Sequence, residues 1–132
     1  MKKLFVCTMI AVLILSFGTV VFAETVEFDY LCYTNVVSTF ALAQKADGER
    51  NFYVRQTSTS DSFPVYYTSR DQYGNVKSYG IYFAASETGR KKRAYHDDHT
   101  VVVGGYYQLG AFPNDGVYQG MAGLQVAGRW TP

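Results

Sequence analysis

Cysteine is scarce in this chain, and the scarcity limits how the fold can be held together. The sequence has two cysteines, of which Cys7 lies in an apolar N-terminal segment and Cys32 is the only one beyond it. A single thiol cannot close an internal disulfide, so packing must stabilise the domain. Two interpretations of Cys32 stay open: a buried small hydrophobic residue, which is the commoner case, or one half of an intermolecular disulfide.

The apolar N-terminal segment has the features of a secretory signal peptide. Lys2 and Lys3 supply a positive start, an uncharged apolar run of 14 residues follows them, and the small residue Ala23 suits signal peptidase. No basic stop-transfer cluster follows. We therefore expect residues 1–23 to be a signal peptide cleaved after Ala23, which leaves residues 24–132 as a single secreted domain. The alternative is an uncleaved membrane anchor.

An excess of charge of one sign is also lacking. The chain has 12 basic and 11 acidic residues, a net charge of +1. Loss of Lys2 and Lys3 with the signal peptide leaves ten basic residues against 11 acidic ones, a net charge of −1. Such a balance gives no whole-molecule attraction to nucleic acid or to anionic membranes. Nucleic acid is therefore not expected as a partner.

Histidine occurs twice, in the run His96-Asp97-Asp98-His99. Imidazole and carboxylate are both metal ligands. Alternate side chains of an extended segment point to opposite faces, however, and the chain has no third histidine to complete a site. The run is therefore interpreted as a polar turn, with no metal and no other cofactor indicated.

Catalytic motifs are missing as well. No Gly-x-Ser-x-Gly elbow is present, and Cys32 has no local signature of a nucleophile. The carboxylates of Glu24, Glu27 and Asp29 alternate near the start of the secreted chain, a poor place to hold an acid and a base in register. We therefore expect a protein that is not an enzyme.

A two-residue hydrophobic period is what the sequence does have. Residues Thr25–Cys32 alternate between apolar and polar, and so do Leu124–Trp130, where Leu124, Val126 and Trp130 share one face. Short strands of this kind, separated by Gly, Pro and Asx turns, are typical of all-β domains. The predicted fold is an antiparallel β-sandwich or barrel-like domain with Trp130 in its core.

The segments between these two strands predict further strands and loops. Strands are expected at Asn51–Gln56, Val65–Ser69, Val76–Ala85 and Thr100–Leu109, the last with a bulge or close contact at Gly104-Gly105, while Val36–Ala43 is a strand or a short helix. Loops are expected at Thr57–Ser62, Asp71–Asn75, Ser86–Arg93 and Phe112–Gly116.

The order of several short motifs resembles a known group of proteins. These motifs are Arg55-Gln56-Thr57, Pro64 before an alternating strand, Tyr82-Phe83-Ala84, and Val126-Ala127-Gly128-Arg129-Trp130. Together they resemble a family of small secreted proteins of unknown function from Gram-positive bacteria. The resemblance implies export and a β-sandwich-like fold, and it supplies no catalytic residues. A fainter similarity, in export and β-pattern alone, is to lactococcin-like bacteriocins.

The concentrated charge lies in Arg90, Lys91, Lys92 and Arg93. Four adjacent cations in a loop are candidates for contact with an envelope polyanion such as teichoic acid or lipid head groups. The alternative is a solvated loop whose charge serves solubility, and salt screens such charges beyond about 8 Å.

Tyrosine is abundant, with 12 in the chain. Each of the pairs Tyr66-Tyr67 and Tyr106-Tyr107 must place one ring on each face of a strand. If Val65, Tyr67, Val103 and Tyr107 face the core, then Tyr66 and Tyr106 lie outside, and Tyr82 can join them. Such rings suit sugars or a protein partner. The alternatives are cross-strand pairs that stabilise the sheet and rings that the other sheet covers.

These features predict a secreted, non-enzymatic binding protein that acts through a sheet face or loops. Its partner is a cell-wall glycan, an envelope polyanion or another protein. The alternatives are a bacteriocin-like antimicrobial or toxin and a structural envelope or matrix component that assembles through edge strands.

Overall fold

The computed structural model describes residues 24–32, 38–60, 63–113 and 123–132. These residues form eight strands and no helix, and therefore no helix that could cross a membrane. The strands are β1 (Val26–Cys32), β2 (Ser38–Gln44), β3 (Asn51–Thr59), β4 (Val65–Asp71), β5 (Ile81–Phe83), β6 (Gly89–Ala94), β7 (Tyr106–Pro113) and β8 (Leu124–Thr131). The predicted signal peptide lies outside the described residues.

The strands make two antiparallel four-stranded sheets packed face to face. The first sheet has the order β1-β8-β3-β6 and the second has the order β2-β7-β4-β5. The all-β, sandwich-like fold predicted by the period-two pattern is therefore confirmed. The edges are β1 and β6 in the first sheet and β2 and β5 in the second.

The core lies between the sheets and follows the predicted alternation. On β8, Leu124, Val126 and Trp130 are buried while Gln125 and Arg129 are exposed, as expected from the sequence. The Trp130 indole N–H donates to the carbonyl of Ala41 across the sandwich, at 2.7 Å. The last strand is therefore part of the core.

The polar groups that reach the core are hydrogen-bonded. Within the described residues, no buried side-chain nitrogen or oxygen lacks a partner. The Tyr67 hydroxyl donates to Gln56 at 2.6 Å, and the ammonium of buried Lys45 donates to the carbonyl of Pro132 at 2.8 Å and pairs with Asp47 at 2.9 Å. Because an unpaired buried charge is costly, these partners allow a lysine to remain inside.

Two predicted strands are shorter than expected. In the segment Val76–Ala85 only Ile81–Phe83 is a regular strand, since Tyr79 before it donates from its backbone to Ala94 of the first sheet. In the segment Thr100–Leu109 the strand begins at Tyr106. Gly104 before it has φ +80° and lies in a turn.

Val103, expected in the core, is the clearest error in the predicted set of buried residues. It lies in the turn before β7 and is 59% exposed. Val65, Tyr67 and Tyr107 are buried as expected. Tyr30 alternates in step with the buried residues Phe28 and Cys32 of β1, and was expected on the same face. It is nevertheless 41% exposed, because β1 is an edge strand.

Several predicted boundaries and ambiguities are resolved. Segment 38–44 is a strand, not a helix. The predicted turn at Asp71–Asn75 is present, and in it the Asp71 carboxylate accepts hydrogen bonds from the backbone N–H groups of Tyr73 and Asn75. The expected loops at Thr57 and Phe112 begin later than predicted, because β3 runs to Thr59 and β7 to Pro113. Residues 61–62 and 114–116 of those loops lie outside the described residues.

Candidate functional site

The basic run Arg90–Arg93 is a strand, which corrects the loop expected at Ser86–Arg93. Gly89–Ala94 forms the edge strand β6 and pairs antiparallel with β3. The turn comes earlier, where the backbone of Glu87 donates to Ala84. Pairing with a distant strand overrides the low β-propensity of the charged residues. Lysine on an edge strand also discourages pairing with another chain.

Strand geometry divides the four cations between two faces. Lys91 and Arg93 are opposite Val54 and Phe52, whose side chains are buried, so they face the side on which the second sheet packs. Arg90 and Lys92 alternate with them and face outward. The run is therefore two pairs of cations rather than one cluster.

Lys91 connects the edges of the two sheets. Its ammonium donates to the Glu87 carboxylate at 2.7 Å and to the carbonyl of Tyr82 at 2.8 Å, and it lies 4.7 Å from the centre of the Phe83 ring. The hydrogen bond from Lys91 is the main reason that the pKa of Glu87 is lowered. Lys91 is thus largely neutralised and has a structural role beside β5.

The predicted outward tyrosines of β4 and β5 form an aromatic cluster. Tyr66 lies opposite Tyr82 in the register of β4 and β5, with ring centres 5.1 Å apart. Its other neighbour is Phe112 of β7, stacked at 5.6 Å with 10° between the planes. Gly80 is required beneath this cluster, because a Cβ there would come within 2.9 Å of the Tyr66 ring.

A groove runs between β5 and β6 and joins the aromatic cluster to the basic strand. We call it the edge groove; it has a volume of 470 Å³, which is in the usual range for ligand sites. It is lined by Tyr66, Tyr79, Gly80, Ile81, Tyr82, Lys91, Lys92 and Arg93. Two predicted sets of site residues that are distant in sequence therefore meet in one place.

Two of the predicted site residues lie elsewhere. Tyr106 is 48% exposed, but it is six residues before Phe112 on β7, which corresponds to about 20 Å along the strand. The Arg90 guanidinium stacks on the ring of Tyr53, 4.3 Å from its centre, on the outer face of the first sheet. Neither residue lines the edge groove.

Tyr79 is a groove residue that the sequence analysis missed. It is 44% exposed and its ring meets that of His96 at 4.7 Å. The error came from treating Val76–Ala85 as one strand, in which Tyr79 and Tyr82 would fall on opposite faces. The dipeptide Tyr79-Gly80 was the available signal, since glycine inside a strand pattern marks an irregularity.

The histidine run forms the predicted turn, closed by a hydrogen bond from the backbone of His99 to the carbonyl of His96. The two imidazoles have separate neighbours, Tyr107 for His99 and Tyr79 for His96. Burial lowers the pKa of His99, as do the nearby charges of Lys77 and Arg50. Over the described ranges, no three His, Cys, Asp or Glu side chains come together in a way that could hold a metal ion.

Comparison with known proteins gives no relative. No family model, no curated protein and no solved structure matches the chain.

Proposed function

We propose that this chain is an exported, non-enzymatic binding protein that holds an acidic glycan of the cell envelope in the edge groove. The observation that carries the proposal is the meeting of exposed tyrosine rings and cations between the edges of the two sheets. The apolar N-terminal segment with its basic start supports export.

The aromatic side of the groove is suited to sugar rings. Tyr79 and Tyr82 are each more than 40% exposed, and Tyr66 is held in place by Phe112 and Gly80. A tyrosine has few rotatable bonds, so a fixed ring gives flat contact area at low entropic cost. Its hydroxyl also remains available for hydrogen bonds at the rim of the groove.

The basic side of the groove is suited to acidic groups. Lys91 is paired with Glu87, whereas the side chains of Lys92 and Arg93 make no ion pair or hydrogen bond with any residue that the structure describes. Because the chain as a whole is nearly neutral, attraction to an anion must be local and sensitive to salt. A ligand with both sugar rings and acidic groups would use both sides of the groove.

The proposal is tested by measuring attachment of the purified protein to bacterial cell walls and to walls stripped of their anionic polymers. Tyr82→Ala should weaken attachment about two- to tenfold, from the usual worth of an aromatic contact. The double variant Lys92→Gln with Arg93→Gln should weaken attachment to intact walls and have little effect on stripped walls. Raising the salt concentration should reproduce the effect of the double variant.

Tyr106→Ala is the matched control, because it removes an exposed tyrosine that lies outside the edge groove. It should leave attachment unchanged. Equal losses in Tyr82→Ala and Tyr106→Ala would contradict the proposal. So would failure to bind any wall fraction, and inhibition of bacterial growth by the protein would then favour the antimicrobial alternative.

A further inference from the structure

A row of three arginines crosses the outer face of the first sheet. Arg90 on β6 is directly opposite Arg55 on β3, which is directly opposite Arg129 on β8. Glu27 on β1 ends the row, opposite Arg129. All four side chains are exposed, because they alternate with residues that face the core. We call this set the arginine row.

The arginine row is unfavourable for the sheet by itself. Adjacent strands lie about 4.8 Å apart, so the three arginines are spaced over roughly 10 Å. Like charges directly opposite one another on neighbouring strands destabilise a sheet. The stability of the sheet therefore does not explain why three arginines are adjacent here.

The two outer arginines of the row have partners, and the central one has none. Arg129 donates to the Glu27 carboxylate at 2.6 and 3.0 Å, and Arg90 stacks on Tyr53. The side chain of Arg55 makes no hydrogen bond, ion pair or ring contact with any other described residue. Its exposed guanidinium thus has no protein partner and lies between two further positive charges.

A groove of 680 Å³ provides room for a ligand at Arg55. Its lining includes Arg55, Arg129, Thr57 and the two carboxylates Glu27 and Asp29. Glu27 is held by Arg129, and Asp29 accepts from Gln125 at 2.7 Å. Because both carboxylates belong to β1, the positive side of this face lies over β3 and β6.

We propose that the arginine row binds a phosphate group. The planar guanidinium fork of Arg55 matches a phosphate with two parallel hydrogen bonds. Arg90 lies outside the groove lining but directly opposite Arg55, and can approach the same phosphate from the β6 side. A phosphate carries more negative charge than a carboxylate and has oxygens for a second guanidinium. The site is distinct from the edge groove, because Arg55, Arg90 and Arg129 do not line that groove.

Titration of the purified protein with phosphate, at constant ionic strength, tests this site. Inorganic phosphate and tripolyphosphate should each shift the backbone amide resonances around Arg55, and acetate should not. Arg55→Gln should weaken phosphate binding about tenfold or more, as expected for a lost charge-assisted pair. The same variant, free of ligand, should melt no lower than the parent, because it removes two like-charge contacts.

Arg93→Gln is the matched control, since it removes the same charge from the other face of β6 and should leave phosphate binding intact. Tighter binding of tripolyphosphate than of phosphate assigns the row to a phosphate polymer, and equal affinity assigns it to a single free phosphate. The proposal is overturned if Arg93→Gln loses as much binding as Arg55→Gln, or if acetate acts like phosphate. It is also overturned if Arg55→Gln lowers the melting temperature of the free protein.

Discussion

Cys32 illustrates how burial determines the chemistry of a single residue. It is fully buried at the end of β1, and the structure has it as a free thiol. The burial expected from the sequence is therefore confirmed. Burial raises the pKa of the thiol to about 12, so very little thiolate exists at neutral pH.

We predict that Cys32 resists thiol reagents in the folded protein. A chain starting at Glu24 has one thiol, which should react with Ellman's reagent over hours in native buffer at pH 8 and within minutes in denaturant. The release of the coloured thiolate product measures both rates. Rapid stoichiometric reaction of the native protein, or a disulfide-linked dimer on a non-reducing gel, would contradict the burial argument.

Among the elements, β8 and β6 differ in how well their sequences predict them. β8 alternates cleanly and lies in the interior of its sheet, between β1 and β3, so local pattern and tertiary position agree. β6 has no apolar alternation, and its strand conformation depends on pairing with β3. A charged edge strand of this kind has no local signal that distinguishes it from a loop.

We predict that β8 is held in the core mainly by Trp130. Trp130→Ala removes a buried side chain that is 1% exposed, together with its hydrogen bond to Ala41. The free energy of unfolding should fall by about 3–5 kcal/mol, out of a typical total of about 5–15 kcal/mol. Urea unfolding, followed by tyrosine fluorescence, measures this change.

The control for that prediction is Gln125→Ala on the same strand. Gln125 is exposed and its side chain contacts Asp29, so its loss should change the free energy of unfolding by less than about 1 kcal/mol. Similar unfolding midpoints for Trp130→Ala and the parent would show that β8 does not depend on this residue.

For the whole molecule, three buried acids should make stability dependent on alkaline pH. Burial raises the pKa of Cys32, Tyr67 and Tyr95 above the ordinary values of 9.0 for cysteine and 10.0 for tyrosine. The folded state therefore keeps these protons after the unfolded state has lost them. The stabilisation is fully present below pH 9 and is lost as pH rises, by about 1.4 kcal/mol per pH unit above pH 9 for Cys32 and by the same amount above pH 10 for each tyrosine.

We predict that the urea midpoint falls from pH 9 upward and falls more steeply above pH 10, where the tyrosines contribute. Cys32→Ala should move the onset from about pH 9 to about pH 10, whatever its effect at neutral pH. Urea unfolding at pH 7, 9, 10 and 11 measures the profile. A midpoint independent of pH over this range would contradict the assignment of these groups to the core.

Properties that depend on neighbours along the chain could be predicted from the residues alone. Alternation is local, so the all-β fold, the inward direction of Trp130 and the outward direction of Tyr66 could be predicted from it. The direction of Val103 could not, because that residue lies in a turn, and a turn ends the alternation.

Which distant residues meet depends on how the strands pair and pack. The strand conformation of Gly89–Ala94, the edge groove and the alignment of Arg90, Arg55 and Arg129 all depend on register between strands far apart in the chain. A shift of one residue in that register would turn these side chains to other faces. Local pattern cannot specify such a register, because it is set by the packing of both sheets around one core.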